Sequence, residues 1–244
     1  MSNLPRFHCP TALVPEQVLN LPSGTARHVQ VLRLQPNDEI TLFNGQGGEY
    51  KAVITHMGRS DVSVRVGEHN QVERELSVRV TLWSGITANE RMDWLLEKAT
   101  ELGASALLPI TAERSVLKLK GDRADKKWAH WQGIAVASSE QCGRNRVPVV
   151  KPLLSLRDWL DEAAAAGGTR LLLAPDGPAV LRELQRPAGM VTVLAGPEGG
   201  FTSSEAADAQ RFGFQPLRLG PRVLRTETAA VALLAAMQAL WGDF

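Results

Sequence analysis

Cysteine is scarce in this chain: Cys9 and Cys142 are the 2 in 244 residues, and neither sits in a CxxC pair. That excludes a disulfide framework and points to a reducing, cytoplasmic setting. An excess of one charge is missing as well. Lys+Arg number 27 against Asp+Glu 26, a formal net charge of +1. No global field therefore draws the chain to nucleic acid or membrane, although local basic patches stay open. The longest uncharged apolar run, Thr228 to Trp241, falls short of the ~18–20 residues that span a bilayer. The amino terminus, Met1-Ser2-Asn3-Leu4-Pro5-Arg6, lacks the charged-then-apolar pattern of a secretion signal. His8, His28, His56, His69 and His130 show no ligand spacing, which predicts no metal. What is present, 44% hydrophobic and 22% charged residues, suits a folded core and excludes a disordered or collagenous chain. At ~150 residues per domain the length fits one or two domains.

The first part of the chain reads as β-structure. Glu39-Ile40-Thr41-Leu42-Phe43 ends at Asn44-Gly45, a dipeptide that favours positive φ. Tyr50 to His56 and Asp61 to Val66 alternate as strands around a Gly58-Arg59-Ser60 break. Short strands without intervening helices suggest a small barrel or sandwich. Gly67 to Glu75 is polar apart from Val72 and is the linker candidate, so the expected domains are 1–73 and 74–244.

Past the linker, strand alternates with helix. Leu76 to Trp83 is a predicted strand, and Met92, Leu95, Leu96, Ala99 and Leu102 fall at helical spacing and stop at Gly103, a C-cap glycine. Ala106 to Ile110 reads as strand, Asp125 to Cys142 as helix, and Leu156 to Ala166 as helix. Arg170 to Ala174 and Met190 to Ala195 are strands, Ser203 to Phe212 a helix, Gln215 to Leu219 a strand and Thr226 to Trp241 the last helix. This alternation predicts an α/β fold with a mostly parallel sheet covered on both faces. The last helix is apolar on nearly every face through Val231, Leu233, Leu234, Met237, Leu240 and Trp241. Packing half on the sheet and half on a second subunit would bury it, and so would a thick monomer core.

Ligands of open parallel sheets bind outside the carboxyl ends of strands, so the strand-to-helix loops carry the site. Gly196-Pro197-Glu198-Gly199-Gly200-Phe201-Thr202-Ser203-Ser204-Glu205 follows an apolar strand. Its glycines allow close backbone approach, and Thr202 with Glu205 has capping-box spacing. The loop is neither GxGxxG nor a P-loop, which excludes dinucleotide and triphosphate sites. A tight turn before a well-capped helix is the plainer alternative. Leu219-Gly220-Pro221-Arg222-Val223-Leu224-Arg225-Thr226-Glu227-Thr228 ends another strand; Thr226 can cap the last helix and Glu227 suits its dipole. Val223 and Leu224 pinning that loop to the core would leave Arg222 and Arg225 unexplained. Ser139 to Pro148 ends a helix and exposes Arg144 and Arg146 around Asn145, an arrangement suited to phosphate or base contacts, or to plain solvation.

Glu140-Gln141-Cys142-Gly143-Arg144, Gly196-Pro197-Glu198-Gly199-Gly200 and the Leu219 to Thr228 segment, in this order and spacing, closely resemble the bacterial ribosomal RNA small subunit methyltransferase E family. Glu101-Leu102-Gly103, Glu113-Arg114-Ser115, and His28 followed by Val31-Leu32-Arg33 fit the same pattern, so the resemblance spans essentially the whole chain. Ala88 departs from it, since the family often carries a basic residue there, and this bears on one RNA contact. The resemblance implies a homodimeric SPOUT-class enzyme. Its carboxyl-terminal domain would hold S-adenosylmethionine in a deep trefoil knot, behind an amino-terminal PUA-like RNA-binding β-barrel. It further implies methylation of N3 of one uridine in the decoding region of 16S rRNA.

On that basis the cofactor-binding candidates are Leu173, Ala174, Pro175, Gly196, Pro197, Gly199, Gly200, Leu219, Gly220, Val223, Leu224 and Thr226. Arg225 is the candidate for stabilising the uracil oxygens as N3 loses its proton. Glu198 or Glu227 is the candidate base; Glu227 reads equally as a dipole partner, and Glu198 as a receiver of loop hydrogen bonds. The RNA-contact candidates are Arg6, His28, Arg33, Arg114, Arg144, Arg146 and Arg222. Cys142 reads as an inert thiol rather than a methyl carrier. The rival expectations are a related methyltransferase acting on tRNA or on ribose, and a non-catalytic RNA-binding assembly factor. Intact cofactor loops argue against the assembly factor.

Overall fold

The structure is a computed structural model that describes residues 4–163, 167–242 and 244. The chain divides into two compact units: Met1–Glu75 with Ser139–Val147, and Leu76–Ser138 with Pro148–Phe244. The first is built on β1 (Arg6–His8), β2 (Val18–Asn20), β3 (Glu39–Phe43), β4 (Glu49–Met57) and β5 (Val62–Asn70), hydrogen-bonded in the order β1-β3-β4-β5-β2. β1 runs parallel to β3 and the other pairs are antiparallel. Along β5 the valines at 62, 64 and 66 enter a core with Phe7, Ile40, Leu42 and Ile54, while Arg65 stays outside, the period-two pattern of a half-buried strand.

Two expectations are corrected here. A helix, α1 (Ser23–Val31), lies among these strands with Ala26 and Val29 buried. It starts after Pro22 without a side-chain cap, and two buried positions print too little of a helical period to be read. The linker candidate is partly strand, because β5 runs on to Asn70 and pairs it with Glu49.

The second unit contains β6 (Val80–Gly85), α2 (Asn89–Glu101), β7 (Ala106–Thr111), α3 (Asp122–Cys142, its last turn grouping with the first unit), β8 (Val149–Val150), β9 (Leu154–Ser155) and α4 (Leu156–Ala163). It continues with β10 (Thr169–Leu173), β11 (Ala179–Val180), β12 (Val191–Ala195), α5 (Ser203–Arg211), β13 (Gln215–Arg218) and α6 (Thr226–Trp241). All its strand pairs are parallel, in the order β11-β13-β10-β12-β6-β7-β8 with β9 also on β7. Every residue of β12 is buried, as a central strand covered on both faces requires. On one face Trp83 packs 5.4 Å from Phe214 and 6.2 Å from Trp159, ring to ring. α6 packs on α2, and Gln238 Nε2 donates to the Leu102 carbonyl at 2.9 Å, satisfying an orphan acceptor at the end of α2.

β6 begins at Val80, not Leu76. The 2-residue strands β8, β9 and β11 are too short to leave a pattern. The helix expected over Leu156 to Ala166 is seen to Ala163, and its remainder lies outside the described residues. Among the described residues no helix is long and apolar enough to cross a membrane.

Candidate functional site

The chain lays β10 first, inserts β12 between β10 and β6, and then adds β13 on the other side of β10. Three parallel strands thus open their carboxyl ends on one edge, where a cavity of about 400 Å³ lies, a size typical of small-molecule sites. β10 supplies Leu173, Ala174, Pro175 and Asp176. β12 leads through Gly196, Pro197, Glu198 and Gly200 to Phe201 and Thr202. β13 leads through Leu219, Arg222, Val223 and Leu224 to Thr226. The expected capping box forms: Thr202 Oγ1 accepts from the Glu205 N–H at 3.2 Å, and Glu205 Oε2 accepts from the Thr202 N–H at 2.9 Å.

Of the cofactor-binding candidates, only Gly199 and Gly220 do not line this cavity. Gly199 faces Arg114, where a Cβ would come 2.9 Å from Arg114 Cβ and 3.1 Å from its carbonyl oxygen. Gly220 holds φ +78° in the Gly-Pro turn and borders a neighbouring hollow with Pro175 and Leu219. Both shape the walls through the backbone instead of facing the cavity.

The acidic candidates meet a residue absent from the sequence candidates. Glu198 Oε1 accepts from Arg91 Nη1 at 2.8 Å, and Arg91 Nε lies 3.9 Å from Glu227 Oε1. The Glu227 side chain is 9% exposed, and its Oε2 has no hydrogen-bond partner among the described residues. Ala88 precedes α2 and offers Glu198 only a backbone N–H, at 3.5 Å. Gly85 was also missed: a Cβ there would sit 2.7 Å from Pro197 Cα, so only glycine lets the loop after β12 pack on the end of β6. A cation in the first turn of a helix runs against the dipole, and that oddity was the one sequence signal marking Arg91. Arg225 is exposed, has extended backbone just before α6, and does not line the cavity.

The RNA-contact candidates divide. In the first unit Arg33 is exposed, His28 is exposed with Nδ1 3.3 Å from Glu140, and Arg146 is exposed beside Glu73 at 2.6 Å. In the second, Arg222 is exposed, and exposed Arg114 donates to the Gly199 carbonyl at 3.3 Å. Arg6 and Arg144 correct the expectation of solvent-facing cations. Arg144 is buried and grips Glu75 through Nε, at 2.9 Å, and through Nη2. Arg6 pairs with Glu49, donates to Asn145 Oδ1 at 2.6 Å and stacks over Phe43. With Asn145 Nδ2 on the Val72 carbonyl and Arg74 on the Gly143 carbonyl, both at 2.9 Å, these bonds tie residues 139–147 into the first unit.

Burial pushes the Glu49 carboxyl up, but the Arg74 and Arg6 guanidiniums outweigh it and hold it below the ordinary carboxylate value. The stability this gives is complete above the ordinary value and is lost as pH falls through the depressed one. Glu49→Gln should therefore cost stability at neutral pH, with the deficit closing in acid; urea unfolding across pH measures it, and a pH-independent deficit would reject it. Glu140 behaves oppositely: burial raises it by more than the His8 N–H, His28 and Arg6 lower it.

Residues 74–238 match the family model described as an RNA methyltransferase domain, and residues 21–67 one described as an RNA methyltransferase PUA domain. A crystal structure of a ribosomal RNA small subunit methyltransferase E from Neisseria gonorrhoeae, bound to S-adenosyl methionine, is 38% identical, covers 99% of each chain and has a TM-score of 0.93. A putative methyltransferase from Legionella pneumophila, in complex with SAM, is 35% identical over 99% of each chain with a TM-score of 0.94. The ribosomal RNA small subunit methyltransferase E of Bacillus subtilis is 32% identical over 86% of this chain and 84% of its own. The α/β fold with its parallel sheet, the PUA domain ahead of it and the match along nearly the full length agree: the chain belongs to the ribosomal RNA small subunit methyltransferase E family.

Proposed function

We propose that this protein uses S-adenosylmethionine to methylate N3 of a uridine in the 16S rRNA of the small ribosomal subunit. One observation carries the reading: the cavity across the ends of β10, β12 and β13, in a chain similar end to end to methyltransferases solved with that cofactor. In this reading the second unit is a SPOUT-class domain with a trefoil knot. The insertion of β12 beside β10 and the placing of β13 on its other side support that topology.

The residues present fit the cofactor. Leu219, Val223 and Leu224 offer an apolar wall for adenine, and the glycine-containing turns bring backbone donors and acceptors close. S-adenosylmethionine, when bound, supplies an electrophilic methyl group on a sulfonium. Uracil N3 is protonated at neutral pH, so the protein has to take that proton and hold the resulting anion. Glu198, on the cavity wall, is the first candidate to accept the proton and buried Glu227 the second. Arg225, between the wall residues Leu224 and Thr226 in the sequence, is the candidate donor to the uracil oxygens.

RNA contacts are proposed for His28, Arg33 and Arg146 in the first unit, and separately for Arg114 and Arg222 in the second. The division of labour is RNA binding by residues 1–73 and chemistry by 74–244, with 139–147 grouping with the first unit. A cytoplasmic homodimer completes the reading; the exposure of Leu240 and Val223 supports a subunit interface. Among the described residues no His, Cys, Asp and Glu cluster could hold a metal.

Mass-spectrometric mapping of 16S rRNA from a deletion strain tests the proposal. One N3-methyluridine should vanish and return on complementation; unchanged rRNA rejects it. Calorimetry tests the walls. Gly220→Val forces a branched side chain to φ +78°, and Gly199→Val drives one into Arg114. Strain of about 1–3 kcal/mol, released by moving the wall, should lower cofactor affinity roughly tenfold or more in folded protein. Unchanged affinity would remove these turns from the site.

A further inference from the structure

We infer that Arg91 is a positioning residue that fastens two walls of the cofactor cavity to each other from outside the cavity. The inference deepens the methyltransferase reading and rests on it. Arg91 does not line the cavity, yet it reaches an acidic side chain from each of two wall segments. Its Nη1 donates to Glu198 on the segment after β12, and its Nε approaches Glu227, which directly follows wall residue Thr226.

Two carboxylates drawn toward one spot repel unless a cation stands between them. Glu227 sharpens the need: it is buried, one oxygen has no hydrogen-bond partner, and Arg91 is its ion-pair partner among the described residues. A buried carboxylate without a counter-charge is strongly destabilising. A planar guanidinium with several fixed donors can serve two carboxylates at once and set their mutual orientation. The Ala88 N–H, at 3.5 Å from Glu198, lies at the limit of hydrogen bonding and cannot hold the loop alone. Arg91 also explains its own location. It accepts an unfavourable place in the first turn of α2 because both partners sit there.

The test uses the full-length protein as wild type, Arg91→Lys, Arg91→Gln, Glu198→Gln and the double variant Arg91→Gln/Glu198→Gln. S-adenosylmethionine affinity is measured by calorimetry, and the single-turnover rate with cofactor and small subunits saturating. Arg91→Gln should lose about tenfold or more in both and Arg91→Lys about threefold or less, while in S-adenosylmethionine affinity the double variant should lose no more than Arg91→Gln alone. Independent, multiplying losses of S-adenosylmethionine affinity in the double variant overturn the inference, because they mean Arg91 does not act through Glu198. So does an Arg91→Gln protein with wild-type cofactor affinity and saturated rate but weakened subunit binding, the pattern of a direct RNA contact. Wild-type protein that binds no S-adenosylmethionine overturns the methyltransferase reading and this inference with it. Should Arg91→Gln fail to fold, Arg91→Gln/Glu227→Gln decides: recovery of folding supports the tie to Glu227, and continued failure rejects it.

Discussion

Replacing Arg225 with lysine is expected to slow methyl transfer about a hundredfold to a thousandfold while leaving S-adenosylmethionine affinity within about twofold, the size of effect seen when one preorganised donor to a developing anion is lost. The structure separates the two consequences. Leu224 and Thr226 line the cavity, whereas the Arg225 side chain is exposed and does not. Its backbone is held independently of the side chain, because the Arg225 carbonyl accepts from the Ala229 N–H at 2.8 Å in the first turn of α6. Lysine can therefore replace arginine without disturbing the cavity wall. What changes is the donor: a flat fork that can meet an oxygen-edged ring becomes a point charge of different reach. If the charge it meets appears only as N3 gives up its proton, the loss falls on the chemical step. An Arg225 that merely touches an RNA phosphate predicts something else, weaker subunit binding with a normal rate once subunits saturate. Single-turnover methylation under saturation decides, and a wild-type rate there would reject the catalytic assignment.

What could be read in the sequence was whatever is encoded within a few residues. The Thr202 and Glu205 capping box forms as its spacing indicates, and the Glu39–Phe43 strand ends at the Asn44-Gly45 turn; Thr226, expected to cap α6, is instead its first residue, after Arg225 and with no side-chain cap. The glycine-rich turns announced the cavity because strand ends in a parallel sheet are where ligands bind. What escaped depends on partners far along the chain. Arg91 and Glu198 are 107 residues apart, and Arg144 and Glu75 are 69 apart, so no local pattern marks either pair. Nothing local marks Gly85, since the Pro197 backbone it accommodates arrives from another strand. A charged residue reads as solvent-facing until its counter-charge is known, which is why Arg6 and Arg144 were misplaced on the surface.

That misplacement yields the largest stability effect expected in this protein: Glu75→Ala should cost the first unit about 3–5 kcal/mol, the penalty for breaking a buried pair by removing one partner. The Arg144 side chain is 4% exposed and held by two bonds to Glu75; without the carboxylate its charge stays buried and loses that compensation. Glu73 offers the internal control. Its partner Arg146 is 51% exposed, so water replaces the carboxylate and Glu73→Ala should cost no more than about 1 kcal/mol. The effect should also be local, and the aromatic residues allow that to be seen. All 6 tryptophans fall in the second unit, while the only tyrosine, Tyr50, is in the first. Tryptophan fluorescence in urea should therefore change far less than amide exchange along β5, where Val62 and Val64 would lose protection. Arg144→Gln then separates structure from recognition. A fold-holding arginine lowers β5 protection when replaced, whatever it does to RNA; an RNA-contacting one weakens RNA binding and leaves protection intact. Full β5 protection in both Glu75→Ala and Arg144→Gln would return Arg144 to the RNA-binding surface.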